Sequence, residues 1–261
     1  KKTLVKVTMK RLWIIGFLLF PSSFGAENNP TQKILFVGNS FTFYFNMPLV
    51  VESMAKEKGI EIDIYQSTAG GASLKDHWDG NKNLSTVEKI KQGQFDTIIL
   101  QDYSTNPLAN TLESLKYFNK FISLAKSHNA KVIIYGTWTY EAMKPKKYKG
   151  LDPVELALMP LINNEVVLAP VGTAFRLFQS EFPESKIFTS DSKHPSPIGS
   201  YLAACVFLKA LTGESPKGLY RRYDRKDEKG KKIFLGMIET SDALKCQSIA
   251  MKIEIKKALT N

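Results

Sequence analysis

Apolar residues follow two rhythms along this chain, and the alternation between them predicts its architecture. Short apolar runs at 34–37, 60–65, 97–100 and 132–135 read as strands, and the unbroken run at 97–100 as one buried on both faces. Between them, apolar residues recur at helical spacing over about 48–58, 112–127, 173–181, 197–211 and 242–259. In the second of these helices Leu115, Phe118, Ile122 and Ala125 form one stripe. Asn46 is placed to cap the first helix and Gly59 to end it. Segments 166–168 and 187–189 add two short strand candidates. Strands that alternate with helices imply βαβ units, hence an α/β fold with a parallel sheet between two helix layers.

Sheets of this kind place their working residues at the carboxyl ends of the strands. The segment at 33–43, KILFVGNSFTF, puts Ser40 just past the end of the first strand. Gly70-Gly71 follows the second strand, Gln101-Asp102 the third and Gly136-Thr137-Trp138 the fourth. Polar and glycine residues therefore gather along one predicted edge. No internal repeat or low-complexity linker interrupts the pattern.

There are three histidines. His128 stands at a predicted helix end and reads as a surface residue, and His77, among Asp76, Trp78 and Asp79, reads as structural. His194 has richer surroundings. In SDSKHPSPIG, Asp191 lies three residues ahead of it, Ser196 is a natural helix N-cap and Pro197 a natural first helical residue. A serine nucleophile needs a base to take its proton and a carboxylate to orient that base. A loop with this spacing lets Asp191 reach Nδ1–H and leaves Nε2 open. The adjoining helix N-terminus disfavours imidazolium, which keeps the base neutral.

Gly38-Asn39-Ser40 at the end of strand one and Asp191-Ser192-Lys193-His194 before a late helix resemble the first and last blocks of the SGNH/GDSL hydrolase family of serine esterases. The resemblance runs in order along nearly all of the chain after its first 25 residues. It implies a flavodoxin-like three-layer α/β/α sandwich and ester hydrolysis through an acyl-enzyme, with no metal and no other cofactor. Ser40 would be the nucleophile, His194 the base and Asp191 its orienter. The family's second-block glycine fits Gly70 or Gly71, whose N–H would join that of Ser40 in an oxyanion hole. Two departures stand out: Asn39 replaces the usual aspartate, and the third block's asparagine has no clear equivalent in LQDYSTN. Gln101 is the nearest amide to supply that donor, with Asn106 further along the loop. Phe41, Phe43, Tyr44, Phe45 and Trp138 crowd the same edge; Tyr44 and Trp138, together with Asn39, are the candidates for substrate contact.

Composition sharpens this picture at the N-terminus. Residues 1–11 carry Lys1, Lys2, Lys6, Lys10 and Arg11 and no acid, 12–20 are apolar, and Ser22-Ser23-Phe24-Gly25 follows. That order describes a secretory signal cleaved after Gly25, too short to span a bilayer, which needs roughly 20 apolar residues. The expected result is a periplasmic or secreted protein with one catalytic domain over 26–261 and no stable membrane insertion. The whole chain is +11; without the leader's five cations, 36 becomes 31 against 25 acids, or +6. The excess sits at 144–149 and 221–232, reads mainly as solvated loops, and comes with no nucleic-acid motif. Cys205 and Cys246 lie on apolar helical stripes and read as two buried thiols. Segment 220–235 reads equally as a charged hairpin or a mobile flap.

No GxSxG elbow, Gly-rich phosphate loop or GxGxxG is present, which argues against α/β-hydrolase and nucleotide chemistry. The partner expected is a small-molecule or polysaccharide acyl ester, most simply an acetylated carbohydrate. A glycan-binding protein on the same fold, or a lipase or thioesterase, are the competing readings.

Overall fold

In the computed structural model, residues 31–143 and 150–257 are described, all within a unit spanning Thr31–Asn261. The expected leader, the basic run at 144–149 and the last residues of the chain lie outside the described residues. The strands of the main sheet are β1 (Gln32–Gly38), β2 (Ile62–Thr68), β3 (Thr97–Leu100), β4 (Lys131–Gly136) and β5 (Val166–Pro170). The helices are α1 (Ser40–Phe43), α2 (Met47–Glu57), α3 (Leu74–Asp79), α4 (Thr86–Gly93), α5 (Asn106–Ala109), α6 (Thr111–Ser127), α7 (Pro153–Leu158), α8 (Val171–Glu181), α9 (Pro197–Thr212) and α10 (Thr240–Lys252). A separate antiparallel hairpin joins β6 (Arg222–Lys226) to β7 (Lys232–Met237).

All pairings in the five-stranded sheet are parallel, in the order β2-β1-β3-β4-β5. The order reverses at β1: the chain goes to one side for β2 and returns to the other for β3. Side chains alternate between faces along a strand, and the two cores divide accordingly. Ile34, Phe36, Ile99 and Ile133 pack with α2, α8, α9 and α10. Leu35, Val37, Ile98, Leu100, Val132 and Ile134 pack with α3, α4, α6 and α7 on the other face. The result is a three-layer sandwich with the flavodoxin strand order, and its switch point lies at the end of β1.

Three local expectations need correction. Segment 187–189 is not a sheet strand: Phe188 makes only an isolated antiparallel bridge to Pro195. Its hydrogen bonds go to a chain reversal, Thr189 N to His194 O (2.9 Å) and Ser196 N to Ile187 O (2.8 Å), and that reversal presents His194. Asn46 does not cap α2; it is left-handed (φ 54°), and its Nδ2 donates to Leu235 O at 3.0 Å, tying the chain before α2 to the hairpin. The last helix ends at Lys252, after which Lys256 bridges to Leu168 beside β5. Segment 220–235 belongs to the hairpin, closed by Arg222 and Lys232 on Asp224 and anchored by Tyr223 Oη donating to Glu57 Oε2 at 2.6 Å. Cys205 and Cys246 are free and buried, and burial pushes both thiols up.

α9 is apolar almost all round because it runs through the core, and Gly199 lets its first turn touch the reversal. A Cβ at 199 would lie 2.4 Å from Ile187 O and 3.1 Å from the Phe175 ring. Backbone cannot yield there without moving the segment that carries His194. Gly199→Ala is therefore expected to destabilise the fold by roughly 1–3 kcal/mol, read by thermal or urea unfolding.

Candidate active site

β1 ends on Gly-Asn-Ser for reasons of space and capping. A Cβ on Gly38 would fall 2.4 Å from Gln101 Oε1 and 2.5 Å from Thr42 Oγ1, so only glycine lets these groups meet the strand end. Asn39 is buried, and its whole side chain is used: Oδ1 accepts from Phe41 N (3.1 Å) as the N-cap of α1, and Nδ2 donates to Ala72 O (2.9 Å). Both ends of its side chain are thus engaged in holding the turn at Ser40, where the expectation was a contact to substrate. Ser40 is then the first residue of α1, where the backbone N–H has no partner within the helix.

Ser40 Oγ lies 2.8 Å from His194 Nε2, and His194 Nδ1 lies 2.5 Å from Asp191 Oδ2. Asp191 Oδ1 accepts from Thr189 Oγ1 (2.7 Å), Lys193 N (3.0 Å) and His194 N (2.9 Å). Desolvation opposes ionisation of Asp191, but the hydrogen bonds from His194, Thr189 and the two backbone N–H groups outweigh it and hold the carboxyl well below the usual range. The carboxylate therefore stays charged and holds the proton of His194 on Nδ1. Nε2 is left to accept from the serine.

Aromatic rings fix the imidazole. Tyr44 stacks on it (4.5 Å, 18°), and Phe41 meets it edge-on (5.4 Å, 79°). Trp138 corrects another expectation. It is 1% exposed, sandwiched between Phe41 (4.5 Å) and Phe175 (4.1 Å), and cannot line a substrate pocket. Its Nε1 instead donates to Lys193 O at 3.0 Å and anchors the loop that bears the base.

Ser40, Gly71, Tyr103, Ser104, Lys193 and His194 line a cleft of ≈ 150 Å³, with Asn39 and Phe41 at its floor. Of the two candidate glycines, Gly71 lines it and Gly70 does not; Gly71 is left-handed (φ 63°), a conformation that costs glycine little. Gln101 is not an oxyanion donor. It is wholly buried, its Oε1 accepts from Asn39 N (2.8 Å) and Thr42 Oγ1 (2.9 Å), and its Nε2 donates to Asp102 O. Asn106 Nδ2 faces Asp102 Oδ1 at 3.4 Å. Sequence reasoning missed Tyr103, Ser104 and Lys193. The edge rule already pointed to the first two, since they follow β3, and Lys193 lies inside the Asp-x-x-His block.

His77 is buried beneath this site as a structural residue. Its Nε2–H donates to Gly38 O (3.0 Å), so its Nδ1 must accept from Thr86 Oγ1 (2.7 Å), which in turn meets Ser67 Oγ (2.8 Å). Burial lowers its pKa to about 4, against the Gly38 hydrogen bond and the Asp76 charge, which favour protonation. His128 is exposed at the end of α6, as expected. Among the described residues no three His, Cys, Asp or Glu side chains converge as a metal-ligand set, and no helix is long and apolar enough to cross a membrane.

His77 makes a pH-dependent contribution. The unfolded chain binds its proton below about 6.5 and the folded one only near 4, so the stability it supports is present above 6.5 and lost as pH falls toward 4. The stability advantage of the wild type over His77→Gln should shrink by roughly 3 kcal/mol across that window, as urea unfolding at each pH would show.

No protein-family model matches the chain, and no curated protein matches it significantly. Among solved structures it is similar to a candidate SGNH hydrolase from Slackia heliotrinireducens, at 25% identity over 70% of this chain and 100% of that one, with a TM-score of 0.56. A DUF4886 family protein from Bacteroides uniformis is 19% identical over 85% and 94% of the two chains, with a TM-score of 0.63. An acetyl-xylooligosaccharide esterase from Geobacillus is 15% identical over 70% and 95%, with a TM-score of 0.51. At the two lower identities the likeness concerns the fold.

Proposed function

We propose that this chain, whose fold is that of the SGNH/GDSL hydrolases, is a serine hydrolase of carboxylic esters. The observation that carries the reading is the unbroken contact chain from Ser40 Oγ through the His194 ring to Asp191. Ser40 Oγ attacks the ester carbonyl carbon while its proton passes to His194 Nε2. Asp191 stabilises the imidazolium from the other side without taking a proton. The carbonyl oxygen becomes an oxyanion facing the backbone N–H groups of Ser40 and Gly71. Collapse breaks the bond to the alcohol, which leaves with the proton from Nε2, and Ser40 keeps the acyl group. Water, deprotonated by the same nitrogen, then attacks the acyl-serine, and the carboxylic acid departs as Ser40 recovers its proton.

The cleft supports a short acyl group. Its ≈ 150 Å³ is about the volume of an engineered cavity that holds one benzene, which suits an acetyl group better than a long chain. Lys193 and Tyr103 both line the cleft, with Lys193 Nζ 5.6 Å from the Tyr103 ring centroid, and give it a mixed aromatic and cationic wall; the buried Tyr140 ring lies behind them, 5.4 Å from the same Nζ. A sugar bearing the acetyl group fits such a wall, and the likeness to an acetyl-xylooligosaccharide esterase agrees with it. The leader pattern at 1–25 adds export to the periplasm or beyond, where such glycans are met. A binder without catalysis would have no need of a carboxylate-oriented imidazole on a serine.

The purified chain should hydrolyse 4-nitrophenyl acetate and take a fluorophosphonate label. Ser40→Ala should abolish the label, and His194→Ala should lower kcat/KM by at least about 10³-fold, with Asp191→Asn costing less. Label retained by Ser40→Ala, or a folded wild type without turnover, would sink the reading.

A further inference from the structure

We propose that the Ser104 hydroxyl is a third hydrogen-bond donor to the oxyanion, a role that rests on the ester-hydrolase reading above. Both amides near the end of β3 are committed elsewhere. Gln101 holds Asn39 N and Thr42 Oγ1 through its oxygen and Asp102 O through its nitrogen. Asn106 Nδ2 is directed at Asp102. From this strand end two hydroxyl-bearing side chains line the cleft, Tyr103 and Ser104; Ser104, whose hydroxyl has a hydrogen-bonding partner to orient it, shares the cavity wall with Ser40, Gly71 and His194. Tyr103 shares that wall too, but offers its ring to Lys193.

The local hydrogen bonding leaves the Ser104 proton available. Ser104 is 2% exposed, and its Oγ lies 3.3 Å from Tyr140 Oη. A hydroxyl carries one proton and two lone pairs. Either hydroxyl of this pair can donate; in the proposed arrangement Tyr140 donates to Ser104 Oγ, the serine proton turns into the cleft, and the two hydroxyls polarise one another toward the developing negative charge. Tyr140 is held for this duty: it is nearly buried, with its ring edge-on to Phe41 at 6.3 Å.

The loop is rigid enough for a donor to be preorganised. The buried Asp102 carboxylate accepts from Leu74 N (2.8 Å), Tyr103 N (2.7 Å) and Ser114 Oγ (2.7 Å), as well as from Asn106. One side chain thus ties the residues around Ser104 to the start of α3, which follows the Gly71 turn, and to α6. Donors fixed before the reaction need no reorganisation when charge appears, and this is what makes an oxyanion hole effective.

The test compares wild type, Ser40→Ala, Ser104→Ala, Ser104→Thr and Tyr140→Phe on 4-nitrophenyl acetate, with thermal unfolding of each. Ser104→Ala is expected to lower kcat by roughly 10²–10³-fold with KM little changed, the signature of an interaction made in the transition state. Ser104→Thr, which keeps the hydroxyl, should retain far more activity, and Tyr140→Phe should fall between. Ser104→Ala should also weaken inhibition by phenylboronic acid, whose tetrahedral adduct on Ser40 places an oxygen in the hole. Unchanged kcat in Ser104→Ala, alongside Ser40-dependent turnover by the wild type, overturns this inference and spares the esterase reading. A kcat loss matched by raised KM and lowered melting temperature makes Ser104 structural and overturns it too. A folded wild type with no Ser40-dependent turnover overturns both.

Discussion

The hydrogen bond from Asn39 N–H to the buried Gln101 Oε1 is the constraint around which the site is organised. It joins the ends of β1 and β3, the two central neighbours that flank the switch point, exactly where β1 gives way to a helix. A buried N–H left without a partner costs about 1–3 kcal/mol, and the same Gln101 oxygen also takes the Thr42 hydroxyl of α1. Gly38 leaves the space for that oxygen, and His77 takes the carbonyl of Gly38 from the other side. The Asn39 N–H and the Gly38 carbonyl are thereby assigned, and Ser40 enters α1 from a fixed turn. The direction of Ser40 thus follows from a wholly buried glutamine.

His194 is held by hydrogen bonds within its loop and by ring packing beneath it. The reversal at 189–194 is short, and Asp191 organises it by accepting from Thr189, Lys193 and His194 at once. Beneath it, the rings of Phe41, Trp138 and Phe175 stack in sequence, and the Trp138 indole N–H holds Lys193 O. Phe41 belongs to α1, directly after the nucleophile, and Phe175 to α8. A ring stack therefore couples the serine's helix to the histidine's loop across positions far apart in the chain. Polar bonds set the turn at Ser40, and polar bonds together with ring stacking set the loop at His194.

Much of this was legible beforehand. The unbroken run at 97–100 coincides with β3, because a strand covered on both faces must be apolar throughout. The convergence of Ser40, Asp191 and His194 was legible because the expected chemistry demands particular residue types near strand ends. The failures share a cause. Gln101 sits at the right edge with the right chemistry, yet tertiary neighbours absorb both ends of its amide. Trp138 carries the signature of a binding residue, yet a ring with 4.1–4.5 Å partners on both faces has no face left for a ligand. Segment 187–189 has strand-like residues, but its bonds close a reversal. Donor and acceptor counts can be read from sequence; which partner takes each of them is decided only by the fold.

His77 and His194 show that same decision made in opposite directions for one residue type. The Nε2 of His77 faces the carbonyl of Gly38, which can only accept, so that nitrogen must keep its proton. Its Nδ1 is then filled by the Thr86 hydroxyl, and no site for proton exchange remains. His194 inverts the arrangement. A carboxylate takes Nδ1–H, and Nε2 faces a hydroxyl that can give up its proton at the wall of an open cleft. One imidazole lies between two fixed partners, as a strut, and the other between an anion and a hydroxyl, the setting that the proposed base requires. The strut binds the carbonyl of the residue that precedes the Asn39-Ser40 turn, so one histidine helps to hold the serine that the other contacts.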